Sequence, residues 1–389
     1  MARILGPSGK GALSLILTIP TLLVIFSGAG LGAANVYFAG SRRLSVSVLS
    51  RNSVAMALTA TLAGTILISA LQASGRLAIW LPNVSVALVI VVIIALPAQL
   101  LNDYFSGILL GLRNIFKLNI ITLIQNLLIL VLTGLAIVGL NLGVIGGALA
   151  ALSAWIIRLV ITCYALRKEG GRLMPHWQWP ILRMTLNFGS RSYIGNLFQF
   201  FNYRLDLFLV NFYMGSADVG LYSIAVALAE LLWYLPHSVG YVIFPQAAAT
   251  DARTMNLFTP RVFRITLIIS LLGGIFLALT GKLLIGKIYP AAFLGAYPAL
   301  LILLPGVILL GGAKVLTNEI AGRGFPHYNS INSALALVMT VGLDLLLIPR
   351  HGISGAALAS TLSYTLCFIL ALWFYRRVVQ ISRVSHSPS

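Results

Sequence analysis

Long apolar runs separated by short polar stretches make up most of the chain. Each run is on the order of 20 residues or more, the length that a helix needs to cross the hydrocarbon core of a bilayer. We therefore predict an all-α polytopic membrane protein with eleven spans. Their approximate bounds are Gly11–Phe38, Ser53–Ala73, Val84–Gly111, Asn119–Leu140, Gly143–Leu166, Thr185–Tyr213, Val219–Phe244, Val262–Ile285, Pro298–Thr317, Ser330–Ile348 and Ile353–Phe374.

The composition excludes a soluble fold. Hydrophobic residues make up 59% of the 389 residues and charged residues only 9%, whereas soluble domains carry about 25% charged residues. So few charges cannot cover an aqueous surface. The short basic segment Met1–Lys10 precedes a long apolar stretch with no clear cleavage site, which favours a retained span over a signal peptide.

The charge is strongly basic, with 26 Lys and Arg against 8 Asp and Glu. The bases lie mainly in short loops, with no basic stripe interleaved with exposed aromatics, so no nucleic-acid partner is predicted. If the C-terminal tail lies in the cytoplasm, sixteen bases fall on the cytoplasmic side and six on the outer side. That asymmetry is the positive-inside pattern, and it predicts a cytoplasmic C-terminus.

Two segments recur at one spacing. The segment GVIGGALAALSAWIIRLVITCYALRK begins at Gly143 and resembles GISGAALASTLSYTLCFILALWFYRR, which begins at Gly352, 209 residues later. LGPSGKGALSL at Leu5 matches MGSADVGLYSI at Met214 with the same offset. Corresponding spans also carry a Leu-Pro pair, Leu96-Pro97 and Leu304-Pro305. This pattern predicts a duplication.

The duplication predicts two six-helix lobes in the same orientation, a parallel repeat. A span precedes the motif at Met214, whereas none precedes the motif at Leu5, so the first of twelve spans is expected to be missing. Loss of that helix in a natural protein and a misplaced start codon remain alternatives. The predicted domains are an N-terminal lobe (1–168), an interfacial linker rich in Pro, Gly and Trp (169–184), a C-terminal lobe (185–378) and a cytoplasmic tail (379–389).

Motifs of catalysis and cofactor binding are missing from the sequence. There is no Gly-rich phosphate loop and no HExxH, and the histidines within or near the spans are isolated. Cys163 and Cys367 lie in apolar runs without a CxxC partner, which favours packing roles. We expect no enzyme activity, no cofactor and no metal.

Charged residues inside the spans are the candidates for function, because an ionisable group at membrane depth usually faces a cavity or a partner. Four bases lie within spans: Arg158, Arg191, Arg204 and Lys314. With Asp206 they form the predicted substrate-binding set, and Asp103, Glu230 and Glu319 are candidates for ion coupling. The alternative, most pertinent to Arg158, Glu319 and Asp344, is a structural ion pair or a residue at the end of a span.

The span Thr185–Tyr213 is polar along its length, which favours a helix that lines water over one that faces lipid. Arg204 and Asp206 are two residues apart, so they should point to different faces of the helix. The guanidinium fork of arginine matches phosphate oxygens and stays charged at any relevant pH. These bases therefore favour an anionic cargo such as a pyrophosphate headgroup over a cation.

Two motifs carry a resemblance to a known family. ARILGPSGKGALSLIL resembles the Arg-x-Leu-Gly-Pro-x-x-x-Gly segment of polysaccharide biosynthesis proteins of the oligosaccharidyl-lipid flippase type (Wzx-like), in the MATE-related MOP superfamily. NYRLDLFLVNFYMGSADVGLYSIAVALAE resembles that family's seventh span and following turn. Asp206 matches the family's recurrent Asp, and Gly215, Gly220 and Tyr222 match its turn.

The resemblance implies a two-lobed bundle of twelve helices whose central cavity opens alternately to each side. It implies a flippase of the bacterial inner membrane that moves an undecaprenyl-pyrophosphate-linked oligosaccharide from the cytoplasmic to the outer leaflet for O-antigen, capsule or exopolysaccharide. The implied partners are this lipid-linked oligosaccharide, membrane lipid and polysaccharide assembly proteins. A MATE-like small-molecule antiporter, a glycan polymerase or ligase, and a non-transporting scaffold are the alternatives.

Overall fold

The computed structural model of the chain describes residues 2–28, 30–75, 86–250 and 252–384. Within these ranges the side chains of residues 86, 190–194, 196, 241, 245, 248, 249, 252 and 382–384 lie outside the description. The start of the predicted span Val84–Gly111 and the end of the predicted tail also lie outside it. The described backbone is helical apart from short turns and contains no strand, which confirms the all-α class.

Twelve α-helices follow one another in the described residues. They are α1 (Ala2–Gly28), α2 (Leu31–Gly40), α3 (Val46–Ala73), α4 (Val86–Gly111), α5 (Ile115–Gly134), α6 (Gly143–Lys168), α7 (Trp179–Met214), α8 (Ser216–Glu230), α9 (Tyr234–Ala249), α10 (Ala252–Ile288), α11 (Ala296–Gly322) and α12 (Pro326–Val384). A π-helical turn (Leu135–Gly139) extends α5, and a 3₁₀ turn (Leu231–Trp233) joins α8 to α9.

Nine helical segments in the described residues are long and apolar enough to cross a membrane. The chain is therefore a multi-pass membrane protein. α12 counts once among the nine, although Gly352 (φ 56, ψ −137) breaks it into two limbs that coincide with two predicted spans. α7, also predicted as a span, is not among the nine because polar residues interrupt its apolar character. The count of eleven spans stays a prediction.

The duplicated segments share an unusual backbone conformation. Gly6 (φ 66, ψ −177) and Gly215 (φ 90, ψ 176) adopt nearly the same dihedrals, and the φ angles of Gly143 and Gly352 are 58 and 56. Positive φ favours glycine because it has no Cβ. Both pairs lie 209 residues apart, so these helix interruptions recur at the spacing of the sequence repeat and support a duplication.

The described chain divides into two compact units, residues 1–5 with 12–197 and residues 6–11 with 198–389. The boundary falls within α7, which is continuous from Trp179. The connector without helix is 169–178, shorter than the predicted linker 169–184, because Pro180 fits the first turn of α7, where its missing N–H would have no partner. The predicted lobe bounds stay predictions.

In the first unit α4 is the central helix and packs against α2, α3 and α6. Leu96, Leu100 and Tyr104 of α4 are fully buried. α2 and α4 pack backbone to backbone, because a Cβ on Gly107 would lie 2.3 Å from the carbonyl oxygen of Gly32. Glycine at this position therefore sets the separation of the two helices.

In the second unit α11 has the same central place and packs against α8, α9, α10 and α12. The prolines of the predicted Leu-Pro pairs lie inside these two central helices, Pro97 in α4 and Pro305 in α11. α11 also carries Lys314 and Glu319, and its central place buries both residues.

Candidate functional site

The polar helix α7 presents Arg204 and Asp206 to different neighbours, as expected for residues two apart. The Arg204 guanidinium meets the Glu230 carboxylate at the end of α8, with Nη1–Oε1 at 3.0 Å and Nη2–Oε2 at 3.1 Å. Both prongs of the guanidinium fork thus engage both carboxylate oxygens. The side chains are 32% and 24% exposed, so this ion pair is not sealed in the core.

Lys314 of α11 is buried close to this ion pair. Its Nζ lies 3.7 Å from the centroid of the Trp233 ring and 2.9 Å from Nε2 of His237. Aromatic faces stabilise a desolvated cation, and the ammonium is a donor only, so Nε2 of a neutral His237 accepts. Only 6% of Lys314 is exposed. Its charge is therefore held inside the unit, where it acts on neighbours through its field.

Aromatic rings hold this arrangement in place. The centroid of Tyr203 lies 5.0 Å from that of Trp233 and 5.9 Å from that of Tyr364, and Trp233 lies 6.0 Å from Tyr364. The indole N–H of Trp233 donates to the backbone carbonyl of Val307 at 3.3 Å. The ring of Trp233, which Lys314 faces, is thus fixed by packing against other rings and by the hydrogen bond of its indole nitrogen.

A second group of polar side chains is fully buried between α7, α8 and both limbs of α12. None of its members is more than 2% exposed. We call it the polar cluster, and it consists of Asn202, Asp206, Tyr222, Thr340, Asp344, Ser360 and Ser363. Burial of so many polar groups in an apolar span is costly unless they are paired.

Most of the polar cluster is hydrogen-bonded internally. The Tyr222 hydroxyl donates to Oδ2 of Asp206 at 2.6 Å, and Ser360 donates to the same oxygen at 3.4 Å. Thr340 donates to Asn202, and Ser363 donates to Asn202 at 3.1 Å. These bonds tie α7 to both limbs of α12.

Asp344 is the exception in the polar cluster. Both of its carboxylate oxygens are buried without a hydrogen-bond partner among the described residues, and the charge of Asp206 acts on it. Two carboxylates in an apolar environment favour uptake of a neutralising proton or of a small hard cation, which prefers oxygen ligands. From its position in the sequence, Asp344 was a candidate for function whose alternative was a structural ion pair or a residue at the end of a span.

The first unit holds the predicted residues Arg158 and Asp103. Arg158 of α6 donates to Oε1 of Gln125 at 2.5 Å and to the Ser106 hydroxyl at 3.4 Å, which links α6 to α5 and α4. Asp103 is exposed on α4, and its charge attracts Arg158. The substrate and coupling roles assigned to these two residues stay predictions.

The remaining predicted residues lie elsewhere. Glu319 is fully buried and pairs with Arg323, the residue directly after the end of α11, and Arg323 also donates to Asn256 at 2.8 Å. This arrangement favours the structural ion pair that was the alternative for Glu319. Arg191 belongs to α7, but its side chain lies outside the described residues. Glu230, predicted for ion coupling, is the partner of Arg204.

The polar cluster could have been predicted from the spacing of its residues along the sequence. Asn202 and Asp206 are four residues apart on α7, and Thr340 and Asp344 are four apart on α12. Residues at that spacing share one face of a helix, so each helix presents an amide or hydroxyl beside a carboxylate.

Within the described ranges no group of three His, Cys, Asp or Glu side chains could hold a metal ion.

A family model described as "Polysaccharide biosynthesis protein" matches residues 1–298, about three quarters of the chain. Three relatives are similar in sequence. The uncharacterized membrane protein MJ1068 of Methanocaldococcus jannaschii is 26% identical over 208 residues, which is 49% of this chain and 41% of that protein. A putative O-antigen transporter of Shigella flexneri is 22% identical over 295 residues, 74% of this chain and 69% of that protein.

The third relative is a probable low-salt glycan biosynthesis flippase, Agl15 of Haloferax volcanii, which is 23% identical over 51% of this chain and 43% of that protein. The chain thus spans less than half the length of two of these three relatives. The match to the family model nevertheless covers most of the chain and confirms the resemblance that its motifs carry.

Solved structures confirm the fold. An inward-facing multidrug resistance MATE family transporter of the MOP superfamily has a TM-score of 0.75 and 17% identity, over 99% of this chain and 94% of that one. The lipid II flippase MurJ in an inward closed conformation has a TM-score of 0.72 and 14% identity, over 98% and 89%. At such identities the likeness establishes the MATE-like helical fold alone.

Proposed function

The chain belongs to the polysaccharide biosynthesis protein family, and on that premise we propose that it is a flippase for a lipid-linked oligosaccharide. The observation that carries the proposal is Arg204. A guanidinium on a membrane helix is costly, and this one is neither sealed in the core nor placed at the end of its helix. Its planar fork suits the oxygens of a phosphate or pyrophosphate group.

The proposed cargo is an undecaprenyl-pyrophosphate-linked oligosaccharide bound for O-antigen, capsule or exopolysaccharide. The names of the relatives from Shigella flexneri and Haloferax volcanii, an O-antigen transporter and a glycan biosynthesis flippase, support this class of cargo. Arg204 binds the pyrophosphate, and Lys314 adds positive charge in the same unit. Arg158 and Arg191, in the first unit, stay predicted contacts of the anion. The lipid tail stays in the bilayer while the glycan crosses by alternating access.

The proposed location is the bacterial inner membrane, with the C-terminus in the cytoplasm and polysaccharide assembly proteins as partners. The excess of bases in the predicted cytoplasmic loops supports this orientation. Energy for a directed cycle would come from an ion gradient. The unpartnered oxygens of Asp344 beside Asp206 support the polar cluster as the coupling site, more than Asp103, Glu230 or Glu319.

Complementation tests the proposal. The chain is expressed in a strain that lacks its own flippase, and surface polysaccharide is measured together with lipid-linked oligosaccharide retained inside. We expect export with the wild-type chain and none with Arg204→Ala, at equal abundance in the membrane. Arg261→Ala, an exposed arginine on α10, is the matched control and should export normally. Export by Arg204→Ala at the wild-type level would refute the role of Arg204.

A binding measurement complements the cell assay. Purified chain in nanodiscs is titrated with a polyprenyl diphosphate carrying one sugar, and Arg204→Ala should bind it at least about tenfold more weakly.

The leading alternative is a MATE-like antiporter of small molecules and ions, which the buried carboxylates of the polar cluster also suit. The same cells distinguish the two functions, because an antiporter lowers dye or drug accumulation and leaves surface polysaccharide unchanged.

A further inference from the structure

Glu230 occupies the guanidinium fork of Arg204. The carboxylate reaches both terminal nitrogens of the guanidinium, at 3.0 and 3.1 Å, in the geometry that a phosphate would adopt. Glu230 takes two of the five N–H donors of Arg204, so a ligand that binds the same pair of donors must replace Glu230. The partial exposure of both side chains, 32% and 24%, leaves room for that exchange.

The exchange depends on the charge of the ligand. Arg204, Glu230 and Lys314 form one electrostatic group, since the charges of Glu230 and Arg204 both act on Lys314. This group holds two cations and one anion; the carboxylate of Asp206, which also acts on Arg204, is held by its hydrogen bonds to Tyr222 and Ser360. A ligand with one negative charge that replaces Glu230 restores the charge balance at Arg204, but leaves the displaced carboxylate without its partner, which is unfavourable in a partly buried site.

A ligand with two negative charges can compensate for this unfavourable exchange. One phosphate can take the place of Glu230 on Arg204, while the second charge is attracted by the field of Lys314. Lys314 is held in place by Trp233 and His237, so this field is fixed before the ligand arrives. The attraction between the second charge and Lys314 therefore offsets the free energy that is lost when Glu230 leaves Arg204.

A membrane phospholipid such as phosphatidylglycerol carries a single phosphodiester. From the Arg204–Glu230 geometry we infer that Glu230 is a specificity-determining residue, an internal carboxylate that excludes monophosphate lipids from Arg204 and yields to a lipid diphosphate. The inference rests on the proposed function in that it takes Arg204 as the phosphate ligand. It adds that the site distinguishes lipids by the number of their phosphates, before any contact with the glycan.

The test compares two lipids with the same kind of tail and one sugar each: a polyprenyl diphosphate sugar and a polyprenyl monophosphate sugar. Dissociation constants are measured for the wild-type chain in nanodiscs, Glu230→Gln, Glu230→Ala and Arg204→Ala. Asp218→Asn, an equal charge change on the same helix, is the control. Thermal unfolding verifies that each variant is folded.

The wild type should bind the diphosphate lipid about tenfold or more tightly than the monophosphate lipid. In Glu230→Gln the affinity for the monophosphate lipid should rise about tenfold, so that the two constants converge. Phosphatidylglycerol added to the nanodiscs should then compete in Glu230→Gln and not in the wild type. Asp218→Asn should behave as the wild type.

The test distinguishes a failure of the proposed phosphate site from a failure of the proposed role of Glu230. If Arg204→Ala binds both lipids as the wild type does, the proposed phosphate site is wrong. If Arg204→Ala loses binding but both Glu230 variants keep the wild-type ratio of the two constants, only the role of Glu230 in specificity is overturned. Equal weakening of both lipids in the Glu230 variants would show that Glu230 merely positions Arg204, which also overturns it.

Discussion

The hydroxyl of Tyr222 donates a hydrogen bond of 2.6 Å to Oδ2 of Asp206, and both residues are almost completely buried. This bond joins α8 to α7 at the motif that carries the family resemblance. It fixes the carboxylate of Asp206 on one side, while Ser360 of α12 approaches the same oxygen from another. The bond therefore orients one of the two carboxylates of the polar cluster.

Replacement of Tyr222 by Phe keeps the ring but removes this donor from Asp206. We expect the free energy of unfolding to fall by about 1–3 kcal/mol, because a buried acceptor loses its shortest hydrogen bond. The measurement is chemical unfolding of the detergent-purified protein. Tyr364→Phe is the control, since its ring contacts remain and its hydroxyl forms no hydrogen bond to Asp206 in this structure. Equal losses in the two variants would contradict the prediction.

Replacement of Asp344 by Asn should abolish the response of the protein to its coupling ion. The amide removes the buried charge but keeps the shape. If sodium is the ion, the wild-type melting temperature should rise by about 2–4 °C in sodium chloride relative to choline chloride at equal ionic strength. Asp344→Asn should not respond, whereas Asp218→Asn should. An undiminished sodium response in Asp344→Asn would remove Asp344 from the site.

Gly107→Ala should destabilise the first unit. The added Cβ would lie 2.3 Å from the carbonyl oxygen of Gly32, so α2 and α4 must separate. We expect a loss of about 1–3 kcal/mol, typical of overpacking. Gly134→Ala is the control, because a Cβ at Gly134 meets nothing within 4 Å and alanine favours helix by up to about 1 kcal/mol. Thermal unfolding of both variants tests this contrast.

Trp233 and Lys314 should be energetically coupled. Trp233→Leu removes the aromatic face 3.7 Å from the ammonium and should destabilise the fold more than Trp233→Phe, since both lose the indole donor but Phe keeps a ring. The cation–π contribution is about 1–2 kcal/mol at a desolvated site. In a double-mutant cycle, Lys314→Met should recover part of the loss caused by Trp233→Leu. Simple additivity would show that the contact contributes nothing.

The topology prediction concerns the C-terminal end of α12. A reporter that is active only in the cytoplasm should be active when it is fused after Arg377. The same reporter inserted after Tyr289, in a loop assigned to the outer side, should be inactive. The opposite result at both sites would invert the orientation that the excess of bases in the loops predicts.

Much of the architecture was predictable because the bilayer restricts the choices. The backbone N–H and C=O groups of a long apolar run in a bilayer are paired within a helix, so the positions of most helices followed from the sequence. The repeat was visible as two matched segments, and its glycines indeed share their backbone conformation. The interruption of the first apolar run between Gly28 and Leu31, where Gly30 has a φ of 74, was not foreseen, because glycine is also compatible with a continuous helix.

The site was predicted only in part. The charge of Arg204, the polarity of α7 and the divergence of Arg204 and Asp206 were evident from residue type and helical period. The pairing of Arg204 with Glu230, 26 residues later, depends on how α7 and α8 pack, and local spacing does not encode it. Lys314 was expected to contact substrate, and the structure buries it between Trp233 and His237.

The sequence by itself determined that this protein is helical, lies in a membrane and carries charges within its spans, because hydropathy and helical period act locally along the chain. Only the tertiary structure decided which of those charges are neutralised and which are left alone. Arg204 meets a carboxylate, whereas Asp344 does not meet a donor in the described part of the chain. The physical reason is that a Coulombic or hydrogen-bonded partner is defined by distance in space, which depends on the packing of helices far apart in sequence.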